Sequence, residues 1–543
     1  MGTPPSRVGP GDELRFDVVV IGAGVAGLVA ALDLLDLDPD LAIAVIDKGA
    51  IGASGSTPLA QGGMAAAVGP GDSPDLHARD TLRAGDGLCD PRAVWTMAAE
   101  GPVRVADLVA RGAVFDRHAS GALDLAREGG QSVDRSVRAA DATGAEIFRA
   151  LRTAATGRVT RLQGIACTLT ARQTGAVDGA WILLDALDSS PSGPVQEPGL
   201  ALVRGRATLL ATGGCGGLYA ATTNRDRATA DGIALAYGVG AALVDMEFVQ
   251  FHPTGLKVEP QDGYWRLLLT EALRGAGARL IDARGTRFMQ GRHPDLELAP
   301  RHIVTKAILD QPDGAWLDAT AIPARTLEEE FPTVAAGVRR HGFDLAREPV
   351  PVEPAEHYMI GGVATDLFGR STVEGLYAAG EVACTGVHGA NRMAGNSLLQ
   401  SCVFAHRAAG AIAAELRSRS DHAGEVEPPA LTGPMLDTGQ RSAIRDGVRR
   451  AMSAGVGAIR SAASLETAEK ALRAAAQAAG SAPAAAPGDV ELHHLLHAAR
   501  LIVRSAALRE ESRGAHWRED FPESRAQWAG VRLRVSRPSD LDG

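Results

Sequence analysis

The chain has five cysteines, Cys89, Cys167, Cys215, Cys384 and Cys402, and no C-x-x-C pair among them. Their odd number and wide scatter exclude a disulfide framework and a zinc ribbon, and they fit a reducing compartment. It has no metal or iron–sulfur motif, so a second redox centre would have to come from another chain. Positive charge is not in excess: the formal net charge is −10, which argues against a nucleic-acid binder held by phosphates. The opening stretch MGTPPSRVGPGDELRF has no apolar core and no cleavage site, so no secretory signal is read. The longest apolar run, VVVIGAGVAGLVAALDLL, is broken by three glycines and Asp33. That pattern suits a strand, a turn and a helix better than a membrane span. The expectation is a cytoplasmic protein that binds neither membrane nor nucleic acid. No convincing internal repeat is present.

With 45% hydrophobic and 22% charged residues the composition is that of a globular protein. At 543 residues it is too long for one ordinary core, so two or three domains are expected. The broken apolar run supplies the first of them. FDVVVIG reads as a buried strand, GAGVAG as a glycine turn, LVAALDLL as a helix and AIAVID as a second strand. Gly22, Gly24 and Gly27 form G-x-G-x-x-G, with Ala23, Val25 and Ala26 between them and the acidic Asp47 closing the second strand. The first glycine makes the turn, the second admits a pyrophosphate to the backbone, and the third lets helix pack on strand. The free N–H groups of the helix then face the phosphates. Asp47, or its neighbour Lys48, is placed to hold the adenosine end.

Two later segments return to the same sheet. ATLLATGGCGG carries Ala211, Thr212 and Gly213, and GLYAAGE ends in Glu381. This recurrence resembles the FAD-binding flavoproteins of the two-dinucleotide-binding-domain class, in which the last acidic residue approaches the flavin's ribityl chain. The implied architecture is α/β: a discontinuous Rossmann-like FAD domain over residues 1–246 and 356–425. An α+β capping domain is inserted at 247–355, with helical pieces in WRLLLTEALRG and PRHIVTKAILD. Alanine-rich helical periodicity, broken by SAPAAAPGD, makes 426–543 a helical C-terminal domain that ends in a polar tail, RLRVSRPSDLDG.

The chemistry concentrates in five short runs. HGANRMAGNSLLQ, residues 388–400, holds Arg392 among small residues, where a guanidinium seeks a planar anion. REGGQS presents Glu128, QFHPTG presents His252, APRHIV presents Arg301 and AEHYMIGG presents His357. Each has a plain alternative. A lone His252 is more often a structural hydrogen-bonder, and Glu128 in a glycine-flanked loop is usually solvated. Arg301 follows Pro300 in a first helical turn, where a cation opposes the dipole, and that misfit points to work elsewhere.

Their order along the chain carries more. GAGVAG, STPLAQGG, ATGG, ADGIALA, FHPTG, LLTEALRG, PRHIV, HYMIGG, GLYAAGE, HGANRMAGNSL and RGAHWREDFP occur in sequence. In this the chain resembles the succinate dehydrogenase, fumarate reductase and L-aspartate oxidase flavoprotein family over nearly its whole length. The resemblance implies an FAD domain, a mobile cap and an active site between them that takes four-carbon dicarboxylates. Arg392 would grip one carboxylate, aided by His252 and His357, with Thr270 and Glu271 close by. Arg301 matches the family's acid/base arginine, although a guanidinium is so poor a base that its chemistry alone reads as a second clamp. FAD contacts are implied at Gly55, Ser56, Thr57, Ala60, Gln61, Gly62, Gly63, Asp231, Asn396, Ser397 and Leu398. No metal is implied.

Three features separate the branches. Ser56 stands where the respiratory members have the histidine that ties the flavin, so the FAD is expected to be non-covalent. Glu128 resembles the acidic residue of the aspartate-oxidising branch that faces an α-amino group, although Gln131 stands where that branch often has histidine. The chain ends soon after RGAHWREDFP, which is expected of a stand-alone enzyme rather than a partnered subunit. The implied activity is oxidation of L-aspartate to iminoaspartate, with dioxygen or fumarate reoxidising the flavin, as the first step of de novo NAD synthesis. Quinolinate synthase, which consumes the imine, is the implied functional partner. The alternative is a fumarate reductase or succinate dehydrogenase flavoprotein. An FAD-dependent RNA-modification protein is opposed by the negative charge, and a non-catalytic homologue by the five intact site residues.

Overall fold

A computed structural model describes residues 7–49, 55–185, 195–196, 199–258, 265–417 and 426–536. The apolar run forms the strand Glu13–Ile21 and the helix Val25–Leu37, followed by the strand Ile43–Asp47. The six-stranded sheet around them runs Leu376–Ala378, Gly199–Leu210, Glu13–Ile21, Ile43–Asp47, Thr160–Ala171, Val177–Leu184. The first five strands are mutually parallel, and the sixth is antiparallel to both Thr160–Ala171 and Gly199–Leu210. Both returning segments, ATLLATGG and GLYAAGE, therefore rejoin the first sheet as expected.

Two glycines explain why the strand–turn–helix closes so tightly. Gly22 has φ +110°, and a Cβ there would lie 2.2 Å from the Ala211 carbonyl oxygen. A Cβ on Gly27 would fall 2.0 Å from the Gly22 oxygen, so the helix rests directly on the turn. The sheet is covered on both faces. Val18, Val20 and Val45 pack with the helices Val25–Leu37 and Asn396–Leu416. Val19, Ile46 and Val203 share the opposite core with residues of the C-terminal helices, such as Val448, Leu472 and Leu495.

Those helices, Thr438–Gly455, Ala462–Ala479 and Pro487–Leu508, fit the periodicity, and the Pro- and Gly-bearing stretch parts the last two. Reciprocal capping boxes at Asp437/Gln440 and Ser461/Ser464 start the first two, and Pro487 opens the third. One expectation needs correction. The polar ending is not wholly a tail: Arg534–Val535 pairs antiparallel with Leu243–Val244, and Val535 is buried. Residues 537–543 of that ending lie outside the described residues.

The inserted segment carries an antiparallel sheet, in the order Val249–Leu256, Val350–Met359, Ala315–Asp318, Arg279–Asp282, and the strand Val350–Met359 runs unbroken through the boundary expected at 355. Its separate core includes Leu256, Leu269, Leu280, Leu317, Val334 and Val352. The helix Arg301–Leu309 lies where PRHIVTKAIL predicts. The stretch WRLLLTEALRG is helical only over Glu271–Gly275. Before it the backbone is extended, because Thr254 and Leu269 exchange hydrogen bonds across the neighbouring strand. Among the described residues no helix is long and apolar enough to cross a membrane.

Candidate active site

A deep cleft runs from the glycine turn of the sheet to the face of the inserted segment. It encloses about 1730 Å³ of empty space, its open mouth included. One end is lined by Gly22, Ala23, Gly24, Val25, Ala26, Asp47, Lys48, Ala211, Thr212, Gly213 and Asp231. Gly55, Ser56, Thr57, Ala60, Gln61, Gly62, Gly63, Glu381, Ser397 and Leu398 line its middle.

Two expected contacts are placed differently. Gly27 lies beneath the turn as the packing glycine and does not face the cleft. Asn396 turns its side chain away: His77 Nε2 meets its Oδ1 at 2.8 Å, and its Nδ2 donates to Thr81 Oγ1 at 3.0 Å. It ties the long helix to the segment behind it, a role that the short motif could not reveal.

The cleft fits FAD in three respects. The helices Val25–Leu37 and Asn396–Leu416 both point their N-termini into it, and neither is capped by the side chain of its own N-cap residue, although the Val25 N–H donates to Thr57 Oγ1 at 3.3 Å. Their positive dipole ends suit a pyrophosphate and an electron-rich ring edge. Buried Gln61 Oε1 and Thr212 Oγ1 have no partner in the protein, so a polar ligand would satisfy them. The Glu381 carboxyl is pushed up to about 8, first by burial and then by Glu356 nearby. It accepts the Met359 N–H at 2.8 Å, and a Cβ on Gly214 would collide with it at 2.1 Å. At the far end Lys48 Nζ is held by Thr229 Oγ1 (2.6 Å), Asp231 (2.6 Å) and Glu491 (2.7 Å). Burial works against its charge, but the two carboxylates win and raise its pKa. Glu491, from the C-terminal helix, escaped the motif reading.

The other end of the cleft gathers Glu128, His252, Thr270, Glu271, Arg301, His357 and Arg392. The solvated alternative for Glu128 fails on burial, and Arg301 is buried as well, both less than a tenth exposed. Arg301 opens its helix directly after Pro300. From there Nε donates to Glu271 Oε2 at 2.8 Å and Nη1 to Gln250 Oε1 at 3.1 Å. Gln250 in turn donates to the Arg392 carbonyl at 2.9 Å, joining the two arginine-bearing segments. Arg392 lies over the Tyr358 ring at 4.5 Å, and its buried Nε has no partner in the protein. Burial, with Arg301 as a like charge nearby, lowers its pKa to about 9. An anion in the cleft would reverse that cost.

The two histidines meet edge to face, 5.0 Å between ring centroids. Burial, reinforced by Arg301, holds both well below the ordinary imidazole range, so each is neutral. The Thr254 N–H donates to His252 Nδ1 at 3.3 Å, which places the ring proton on Nε2. His357 Nδ1 is engaged by Thr223 Oγ1 at 2.7 Å. Glu128 Oε1 accepts the Gly63 N–H at 2.8 Å. Its carboxyl is raised to about 7, first by burial and next by Glu271.

Sequence reasoning passed over Gln250, Thr223, Arg274 and Tyr358. Gln250 and Tyr358 each lay inside a motif already singled out, one residue or two from a named histidine. Arg274 likewise lay in LLTEALRG, three residues after Glu271, whereas Thr223 carried no such signal, because only the fold brings it to the site.

A family model for the FAD binding domain matches residues 17–398, and one for the fumarate reductase flavoprotein C-terminal region matches 445–539. A curated L-aspartate oxidase of Streptomyces coelicolor is 45% identical over 95% of this chain and 90% of its own. One subunit of a fumarate reductase (CoM/CoB) from Methanothermobacter marburgensis is 38% identical over 94% of this chain and 95% of its own. Among solved structures, the FrdA chain of E. coli quinol fumarate reductase superposes with a TM-score of 0.86 at 28% identity. That superposition covers 97% of this chain and 95% of the other.

Proposed function

This chain belongs to the succinate dehydrogenase, fumarate reductase and L-aspartate oxidase flavoprotein family, and on that footing we propose that it oxidises L-aspartate to iminoaspartate with FAD. One observation carries the choice among family activities. A buried carboxylate, Glu128, lines the substrate end beside Arg301 and Arg392; the other carboxylate there, Glu271, is bonded to Arg301, whereas Glu128 Oε1 accepts the Gly63 N–H. Succinate and fumarate offer it nothing, whereas an α-ammonium needs such a counter-ion.

FAD supplies the acceptor for the hydride leaving the substrate's α-carbon. The protein's own contribution is placement. Arg392 presents its partnerless Nε toward one carboxylate, His252 adds a neutral N–H donor, and neutral His357 lies beside it without adding charge. Glu128 receives the ammonium and takes the N–H proton that must leave as the hydride departs from the α-carbon, so that the imine forms. Arg301 closes the site from the inserted segment, with Glu271 holding its orientation. Binding energy spent on this orientation aims the α-carbon hydrogen at the cofactor.

The rest of the reading follows the chemistry of the product. An imine hydrolyses in water, so an enzyme that consumes it must act promptly, and quinolinate synthase fills that place. Dioxygen or fumarate reoxidises the flavin, and the step opens NAD synthesis in the cytoplasm, where five free cysteines stay reduced. The similar reductase chain favours fumarate reduction as a second reading. Anaerobic titration separates the two: L-aspartate, but not succinate, should bleach the flavin band near ~450 nm, which arises from the cofactor. Bleaching by succinate alone would replace the first reading with the second.

A further inference from the structure

Glu128 is held at one carboxylate oxygen by the Gly63 N–H, but its backbone needs further support. It is followed by Gly129 and Gly130, which give its loop the greatest backbone freedom available. Both are required there. A Cβ on Gly129 would fall 1.8 Å from Glu271 Oε1, and Gly130 has φ +84°. The Gly63 N–H anchors Glu128 Oε1 at 2.8 Å, and the placement of the backbone that carries the side chain depends on bonds made elsewhere in the loop.

Gln131 makes them. Its Oε1 accepts the Glu128 N–H at 3.1 Å, while its Nε2 donates to Ser136 Oγ at 2.9 Å and to the Ala394 carbonyl at 3.3 Å. Ala394 lies two residues beyond Arg392 on the same tight segment. One buried amide thus bridges the loop that carries Glu128 to the segment that carries Arg392. Beyond Gln131 the loop is anchored separately: Asp80 accepts the Ser132 N–H at 2.8 Å and its hydroxyl at 2.7 Å. Only an amide offers an acceptor to one side and two donors to the other at this length. A carboxylate or an aliphatic chain there would break one half of the bridge.

We propose that Gln131 is a positioning residue that sets the separation between the Glu128 carboxylate and the Arg392 fork. It thereby favours a dicarboxylate bearing an α-ammonium over one without it. The inference rests on the reading of Glu128 given above. Gln131 itself touches no substrate; it acts through the two groups that do.

The test uses two inert ligands on the FAD-loaded protein. α-Methyl-aspartate keeps the ammonium but has no α-hydrogen to give up, and 2,2-dimethylsuccinate lacks the ammonium and, with no hydrogen on C2, cannot be desaturated. Their dissociation constants are measured by calorimetry for the parent and for Gln131→Met, Ser136→Ala and Glu128→Gln. Gln131→Met should weaken α-methyl-aspartate by roughly five- to tenfold, the loss expected of one buried hydrogen bond, with 2,2-dimethylsuccinate as in the parent. Ser136→Ala, which removes one hydroxyl, should shift the same ligand in the same direction and keeps the test alive if Gln131→Met does not fold. In steady state the change should appear in KM for aspartate. Equal weakening of both ligands, or of neither, would overturn the proposal. If Glu128→Gln leaves α-methyl-aspartate binding intact, the reading of Glu128 falls instead. If Glu128→Gln weakens it and Gln131→Met and Ser136→Ala do not, only the role of Gln131 falls.

Discussion

Arg301 donates its Nε–H to Glu271 Oε2 at 2.8 Å, and Arg274 stands 3.7 Å from the same oxygen. All three belong to the inserted segment, so the arginine is aimed before any substrate arrives. Arg301→Leu should lower kcat by roughly 10²–10⁴-fold, the scale of a lost proton-transferring group. FAD binding should persist, because the cofactor end of the cleft is untouched. Full activity in this variant, with FAD retained, would remove Arg301 from the site.

Glu128 gives the site a pH dependence of definite sign. Its carboxyl titrates near about 7 in the folded protein, well above the usual carboxylate range. Capturing an ammonium requires the ionised form. The kcat/KM for aspartate should therefore rise as pH passes upward through about 7 and then level. Glu128→Gln should abolish that limb and harm aspartate oxidation more than fumarate reduction.

The same shift has a consequence for stability. The folded state holds the Glu128 proton more tightly than the unfolded chain does, so its contribution is present at low pH. It is lost as pH rises from the ordinary carboxylate value through about 7. Glu128→Gln should accordingly gain thermal stability over the parent at pH 8 in the FAD-free protein. At pH 5 the gain should shrink, and a scan at each pH decides it.

Ser56 lines the cleft beside the glycine turn, and a hydroxyl cannot form the histidyl link to a flavin. Acid precipitation should leave all the flavin in the supernatant. Flavin remaining with the precipitate would show a covalent bond at another residue.

Arg392 is shelved on the Tyr358 ring at 4.5 Å, and the Tyr358 hydroxyl meets His388 Nε2 at 3.1 Å. Replacing Tyr358 by leucine removes a desolvated cation–π contact of about 2 kcal/mol. KM should rise about equally for aspartate and fumarate, since both present a carboxylate to Arg392. A rise for aspartate alone would mean that the ring acts on the ammonium side.

Gly27→Ala tests the packing of the first turn, because its Cβ would lie 2.0 Å from the Gly22 oxygen. Backbone cannot yield as a flexible side chain does, so a loss of about 1–3 kcal/mol is expected. Thermal unfolding with and without FAD should show both a lower midpoint and weaker cofactor stabilisation.

Much of this was legible beforehand, for identifiable reasons. The strand–turn–helix around Gly22 is local: valines alternate across one strand, and three glycines meet fixed steric demands within six residues. The three C-terminal helices carried their own punctuation in caps and proline. Their neighbour was not written locally, and they share a core with the sheet. WRLLLTEALRG misled because leucine favours helix until a neighbouring strand offers its hydrogen bonds.

Within the site, the chain alone determined the chemical groups: a carboxylate in a glycine loop, two histidines, and arginines among small residues. Their residue types and order were enough for the family and the activity. Tertiary structure decided how those groups work together. It buried Glu128 against Glu271, turned Asn396 away from the cleft, and brought Gln250 between Arg301 and the Arg392 backbone. Such effects depend on distance and on exclusion of water between segments far apart in the chain. Neither is encoded at any one position, so only the folded arrangement fixes them.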